Sequence, residues 1–111
     1  MTDIKTVNFL QNFRRSIEFV KNELPINSFP VAYELILLVM HKYYLHQNLT
    51  VKEFFLLSPY SYTATRQHYL SLLEHSYIKI EKLNNDKRLK TILPNQKCIE
   101  LISNLQSIYY Q

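Results

Sequence analysis

The stretch LTVKEFFLLSPYSYTATRQHYLSLLEHSYIKIEKLNNDKRLKTIL, residues 49–93, decides the fold, because the periodicity changes within it. Thr50, with Glu53 three residues on, matches the reciprocal capping-box pattern and predicts a short helix over 51–57. Ser58, Pro59 and Tyr60 stop that helix, and Ser61 is placed to cap another running to about residue 75. From Tyr77 the period turns from helical to alternating: Ile78, Ile80 and Lys82 fall on one face, Lys79, Glu81 and Leu83 on the other. Asn84, Asn85, Asp86, Lys87 and Arg88 form a polar turn before residues 89–93, so the segment reads as a hairpin.

Working outward, Ile4, Val7, Leu10, Phe13, Ile17, Val20 and Leu24 recur at three- and four-residue steps and predict an amphipathic first helix over 4–24, ending before Pro25. Residues 25–30 make a short connection, and Pro30 can open the next helix because its missing N–H would have no partner there. That helix, to about residue 46, is apolar on nearly all sides, as expected of the hub of a core. After Pro94, Asn95 is placed to cap a last helix whose apolar side carries Ile99, Leu101, Ile102, Leu105 and Ile108. Two short helices joined by a tight turn and followed by a basic-tipped hairpin describe a winged helix-turn-helix, mostly α with a small β-hairpin wing. The domain is expected to span 1–111, with its core at 30–93 and flanking helices at 4–24 and 95–110.

Composition narrows what such a domain does. A chain of 111 residues holds one core and no separate catalytic domain. Lys and Arg outnumber Asp and Glu by 13 to 9, a mild tilt toward a polyanionic partner. Glycine is absent, which removes phosphate-cradling loops, dinucleotide fingerprints and the strained turn behind a nucleophilic serine, all of which need it. His41 with His46, and His68 with His75, do not match metal-ligand spacing, and no nucleophile, base and orienting group assemble from the sequence, so neither enzyme nor cofactor is expected. Cys98 stands alone and reads as a buried small hydrophobe in a reducing compartment. Residues 31–45 are interrupted by Glu34, His41 and Lys42 and are too short to span a bilayer, and the N-terminus lacks a signal-peptide pattern. A cytoplasmic protein with no membrane partner is expected.

Leu49-Thr50 opening the short helix, Leu72-Leu73-Glu74-His75-Ser76-Tyr77-Ile78 closing the next, and Asn85-Asp86-Lys87-Arg88 at the hairpin tip resemble MarR-type winged-helix regulators. The resemblance covers residues 49–101. Ser76 stands where that family usually has Gly, and Leu93-Pro94-Asn95-Gln96 replaces its second Leu-Thr motif. What the resemblance implies is a transcriptional regulator acting on double-stranded DNA as a homodimer over a pseudo-palindromic site. It specifies no effector.

On a helical wheel of the expected recognition helix, 61–75, Thr65, Tyr69, Leu72, Leu73 and Ser76 cluster toward the core. Thr63, Ala64, Gln67 and Ser71 then face outward, with Arg66 on the flank. Arg66 suits guanine or phosphate, Gln67 suits adenine, and Thr63 and Ala64 suit a thymine methyl. Tyr60, Ser61 and Tyr62 lie at the positive end of the helix, where hydroxyls and backbone N–H groups suit a phosphate. In the wing, 78–93, Lys87, Arg88 and Lys90 are expected at the minor groove or its phosphates, with Asp86 holding Arg88. Phe9, Phe13 and Ile17, with Ile102, Leu105, Ile108, Tyr109 and Tyr110, are the expected dimer surfaces. Two rival functions share the fold: a protein-interaction module, and a DNA binder of plasmid maintenance or replication.

Overall fold

The order of elements in the computed structural model follows that pattern: α1 (Ile4–Glu23), α2 (Phe29–Tyr44), α3 (Val51–Leu57), α4 (Tyr62–Glu74), β1 (Ile78–Leu83), β2 (Asp86–Pro94) and α5 (Gln96–Tyr109). The structure describes residues 3–24, 29–83 and 86–110, with backbone alone at Phe29, Leu83 and 86–88. Of the expected connection at 25–30, residues 25–28 lie outside the described residues, as do the turn residues Asn84 and Asn85, and α2 already begins at Phe29.

Local chemistry sets most of the helix starts. Thr50 accepts from Glu53 N while the Glu53 carboxylate takes the Thr50 N–H, closing the capping box. Ser61 accepts from Ala64 N at the start of α4, and Asp3 does the same for Thr6 N at α1. Asn95 departs from expectation. It occupies the N-cap position of α5, but its side chain makes no cap bond there. Its Nδ2 instead donates to Ile78 O at 3.2 Å, because β1 lies alongside and offers a carbonyl that would otherwise lack a partner.

Helix ends show how a glycine-free chain turns. After α2, His46 N donates to Tyr43 O and Gln47 N to Lys42 O; after α4, Ser76 N donates to Leu73 O and Tyr77 N to Leu72 O. Both are Schellman closures, which require a left-handed residue, and His46 (φ 57°) and Ser76 (φ 62°) take the place glycine ordinarily fills. Each carries a side chain into that conformation at a cost of about 1–2 kcal/mol. Ser76 therefore lies exposed beyond the helix, not on the core face where continuing the helical wheel had put it.

The core gathers around α2, whose Ala32, Leu35, Ile36, Val39 and Met40 are buried. Phe54 from α3, Tyr69 and Leu72 from α4, Ile78 and Ile92 from the hairpin, Val20 from α1, and Cys98 and Leu101 from α5 pack around it. The strands are antiparallel, with Ile80 opposite Ile92 and Lys82 opposite Lys90. A single-residue bridge joins Thr50 to Thr91, and Ile92 N donates to Leu49 O at 2.8 Å, fastening the hairpin to the segment before α3. Tyr77, buried where β1 begins, donates its hydroxyl to Glu23 O at 2.6 Å and so ties the end of α1 to the winged part. Lys97 sits 4.5 Å above that ring and donates to His75 O.

Along its longest axis the molecule reaches 60 Å, against 28 and 22 Å across, with a radius of gyration of 15.8 Å. A globular chain of this length would have about 13 Å. The elongation is consistent with α1, whose 20 residues span about 30 Å and whose first two turns are exposed along their whole circumference.

Candidate nucleic-acid interface

Ser58, Pro59, Tyr60 and Ser61 form the turn between α3 and α4, and it is tightly braced. Ser58 Oγ lies 2.7 Å from Thr65 Oγ1, Tyr60 N donates to Ser58 Oγ, and the Glu34 carboxylate on α2 lies near the Tyr60 hydroxyl. The interaction with Glu34, followed by desolvation and the nearby negative charge, holds the Tyr60 phenol above its ordinary range. Tyr60, expected as a phosphate contact, is half-buried in this turn with the Glu34 carboxylate beside its hydroxyl. Glu34 entered the sequence reading only as an interruption of the apolar stretch 31–45, and nothing there pairs residues 26 positions apart.

Aromatic rings set the angle between the two helices. Phe54 meets Tyr69 with ring centroids 5.7 Å apart, and Phe55 meets Tyr69 at 5.4 Å and Tyr62 at 5.3 Å. Tyr62 rests one face on Phe55 yet remains 68% exposed, so it stands at the mouth of the helix as expected. The inner face of α4 carries Thr65, His68, Tyr69 and Leu72. His68 was not placed on that face beforehand. Its Nδ1 has no hydrogen-bond partner among the described residues, and burial pushes its pKa below the ordinary imidazole range, so it serves as a neutral ring.

The outer face of α4 is a stripe of exposed Thr63, Arg66, Gln67, Leu70 and Glu74. Three expected contacts, Thr63, Arg66 and Gln67, are together on it, and Ser61 is exposed just before it. Ala64 and Ser71 are half-buried flank positions, and Ser71 is occupied with His75, whose Nδ1 lies 2.9 Å from Ser71 O and 3.4 Å from its Oγ.

Lys90 is exposed on the wing; the side chains of Lys87, Arg88 and Asp86 lie outside the described residues. The register shows one feature that the expected set lacks. Lys82 lies directly opposite Lys90, on the face that Ile80 and Ile92 bury nearer the core. On the other face Lys79 is paired with Glu81 at 3.4 Å, whereas neither Lys82 nor Lys90 has an ion-pair partner among the described residues. Like charges facing across two strands are destabilising. Lys82→Thr is therefore expected to stabilise the free protein by a few tenths of a kcal/mol, up to about 1, raising the thermal unfolding midpoint in calorimetry. A midpoint that falls would show that the rung is not repulsive. Lys82 was within reach of the sequence, since it continues the alternation of Ile78 and Ile80; only its partner across the hairpin was not.

Of the expected dimer residues, Phe9, Phe13 and Tyr109 are exposed, whereas Ile17, Ile102, Leu105 and Ile108 are half-buried, Ile102 and Leu105 against the core. Phe9 stacks on Phe13 at 5.7 Å and meets Tyr109 edge-on at 6.2 Å, and Asn12 Nδ2 donates to Tyr109 O, so α1 and α5 form a two-helix stalk. Cys98 is fully buried, and burial pushes its thiol up to about 12, leaving no thiolate at neutral pH. Among the described residues no His, Cys, Asp and Glu cluster could hold a metal ion, and no helix is long and apolar enough to cross a membrane.

The fold is shared with solved regulators. A protein described as a transcriptional regulator from Thermotoga maritima superposes with a TM-score of 0.63 at 13% identity, over 96% of this chain and 68% of that one. One from Pseudomonas aeruginosa, described as a probable transcriptional regulator, gives 0.61 at 9%, over 97% and 77%. One from Bacillus cereus, described as MarR-like, gives 0.59 at 12%, over 97% and 78%. No family model matches the chain, and no curated protein matches it by sequence. The resemblance seen in residues 49–101 thus extends to a common winged-helix architecture over nearly the whole chain.

Proposed function

We propose that this protein is a transcriptional regulator that binds double-stranded DNA sequence-specifically, as a homodimer, in the cytoplasm. The observation that carries it is the outer stripe of α4. Thr63, Arg66 and Gln67 stand exposed on one face of a helix whose opposite face is locked into the core, in a fold shared with proteins described as transcriptional regulators. A helix inserted in the major groove needs that division, rigid behind and polar in front. Arg66 is suited to guanine O6 and N7, and Gln67 to adenine N6 and N7. Ser61 and Tyr62 at the positive end of α4 suit a backbone phosphate, with Lys90 and the basic tip residues Lys87 and Arg88 alongside.

Dimer formation is supported by the stalk. Phe9, Leu10, Phe13 and Tyr110 expose large apolar surface on two helices that pack along each other and join the core through Val20, Cys98 and Leu101, and contiguous apolar surface of that kind marks an interaction site. Two linked reading heads would multiply an affinity that a single small module cannot reach.

The test is a titration of fluorescent duplex DNA at two salt concentrations, with the wild type and with an Arg66→Ala, Lys87→Ala, Arg88→Ala triple variant. Wild-type binding is expected to weaken steeply with salt, because each neutralised phosphate releases counterions. The triple variant, still folded, is expected to bind weakly, its salt slope shallower by about one unit for each lost phosphate contact. Binding that is undetectable, or unmoved by the substitutions, would overturn the DNA-reading function and favour a protein partner.

A further inference from the structure

We propose that Leu70 is a base-reading residue, specific for thymine through its 5-methyl group. This rests on the DNA-reading function above and adds to it the chemistry of one position. Leu70 is 43% exposed, in the middle of the outer stripe of α4, three residues beyond Gln67 and four beyond Arg66. The other leucines of α4 turn inward: Leu72 is fully buried and Leu73 packs against the core. The side chain after it, Ser71, is half-buried and occupied with His75. Leu70 is therefore the position at which the helix presents a branched apolar surface to whatever Arg66 and Gln67 face.

In a major groove that placement is selective. Guanine, adenine and cytosine present N7, O6, N6 or N4 there, and a leucine that covers such a group removes its water and returns no hydrogen bond. Thymine presents a methyl, which gains from the contact. One helical turn separates Leu70 from Arg66, about 6 Å, and that distance covers roughly two base-pair steps. The preferred half-site should accordingly carry a purine read by Arg66 or Gln67 with a thymine about two steps away.

Selecting duplexes from a random pool with the wild-type protein supplies the probe. The selected duplex is then remade with deoxyuridine at that thymine, which keeps the pairing and O4 and removes only the methyl. Wild type is expected to bind the deoxyuridine duplex roughly four-fold more weakly in each half-site, the effect of one buried methyl. Leu70→Ala, whose circular dichroism and unfolding midpoint should match wild type because the position is exposed, is expected to bind both duplexes equally. In Leu70→Gln the preference is expected to move from thymine to adenine. Equal wild-type binding to the two duplexes overturns the assignment, as does an equal deoxyuridine penalty in wild type and Leu70→Ala, which would place the methyl contact elsewhere. Failure of the wild type to bind any duplex would overturn the DNA-reading function itself, and the Leu70 assignment with it.

Discussion

A protein carrying Phe9→Glu and Phe13→Glu is expected to remain folded in its winged part, to run as a monomer in light scattering at micromolar concentration, and to lose about 10²- to 10⁴-fold in affinity for its operator. The two rings are 48% and 43% exposed and stack on each other along the outer side of α1. They lie far in the chain from the Phe54 and Tyr69 contact that orients α4, and the links between the stalk and the winged part, through Tyr77 with Glu23 and through Val20, Cys98 and Leu101 in the core, are left intact by the substitutions. Two carboxylates on the face proposed to meet a second copy would have to be buried without partners, which no dimer of this size tolerates. A single reading head then remains, with the intrinsic affinity of one module. Wild type that is already monomeric under the same conditions would remove the dimer from the account, and the winged-helix DNA contact would have to stand alone.

Phe54→Ala is expected to lower the unfolding free energy by about 3–5 kcal/mol, measured by urea titration followed in the far ultraviolet. Phe54 has no exposed surface, and its ring lies against Phe55 and Tyr69, so truncation opens a cavity at the joint between α3 and α4. The surrounding rings are held by their own helices and can collapse into the gap only partly, which is why the cost exceeds the transfer energy of the lost carbons. Domains of this size hold about 5–15 kcal/mol in total, so the loss is a large share of what keeps α4 in place. Leu56, two residues on, is the control: it is 73% exposed, and Leu56→Ala should move stability by less than about 0.5 kcal/mol. Similar effects at the two positions would mean that α3 is not the brace it is taken to be.

Both outcomes bear on how the site is made. In the proposed function Arg66 and Gln67 act only when the helix that carries them is aimed, and its orientation comes from contacts on its inner side: the Phe54 and Tyr69 rings and the Ser58 and Thr65 hydroxyls. A substitution at any of these should weaken all sequences alike, whereas one on the outer stripe should change which sequence is preferred. That difference separates positioning from reading in a single binding experiment.

What the sequence by itself determined is what contiguous residues can decide. The limits of α3, the capping box of Thr50 with Glu53, the cap at Ser61 and the alternation through Ile78, Ile80 and Lys82 all rest on bonds or spacings within a few residues, and all were legible. Thr63, Arg66 and Gln67 were legible too, because a helix repeats every 3.6 residues and the apolar positions mark its inner side. Tertiary structure decided the rest. Glu34 comes near Tyr60 because α2 passes beside the turn, Asn95 turns to Ile78 because β1 does, and Lys82 faces Lys90 because the hairpin register sets them opposite. Ser76 leaves the core face because the Schellman closure ends the helix one residue earlier than a wheel assumes. Leu70 was given no face in that reading; the packing of Thr65, His68, Tyr69 and Leu72 on the opposite side of α4 leaves it in the open. A side chain's partner across the fold depends on which element lies next to it, and that information is spread over the whole chain.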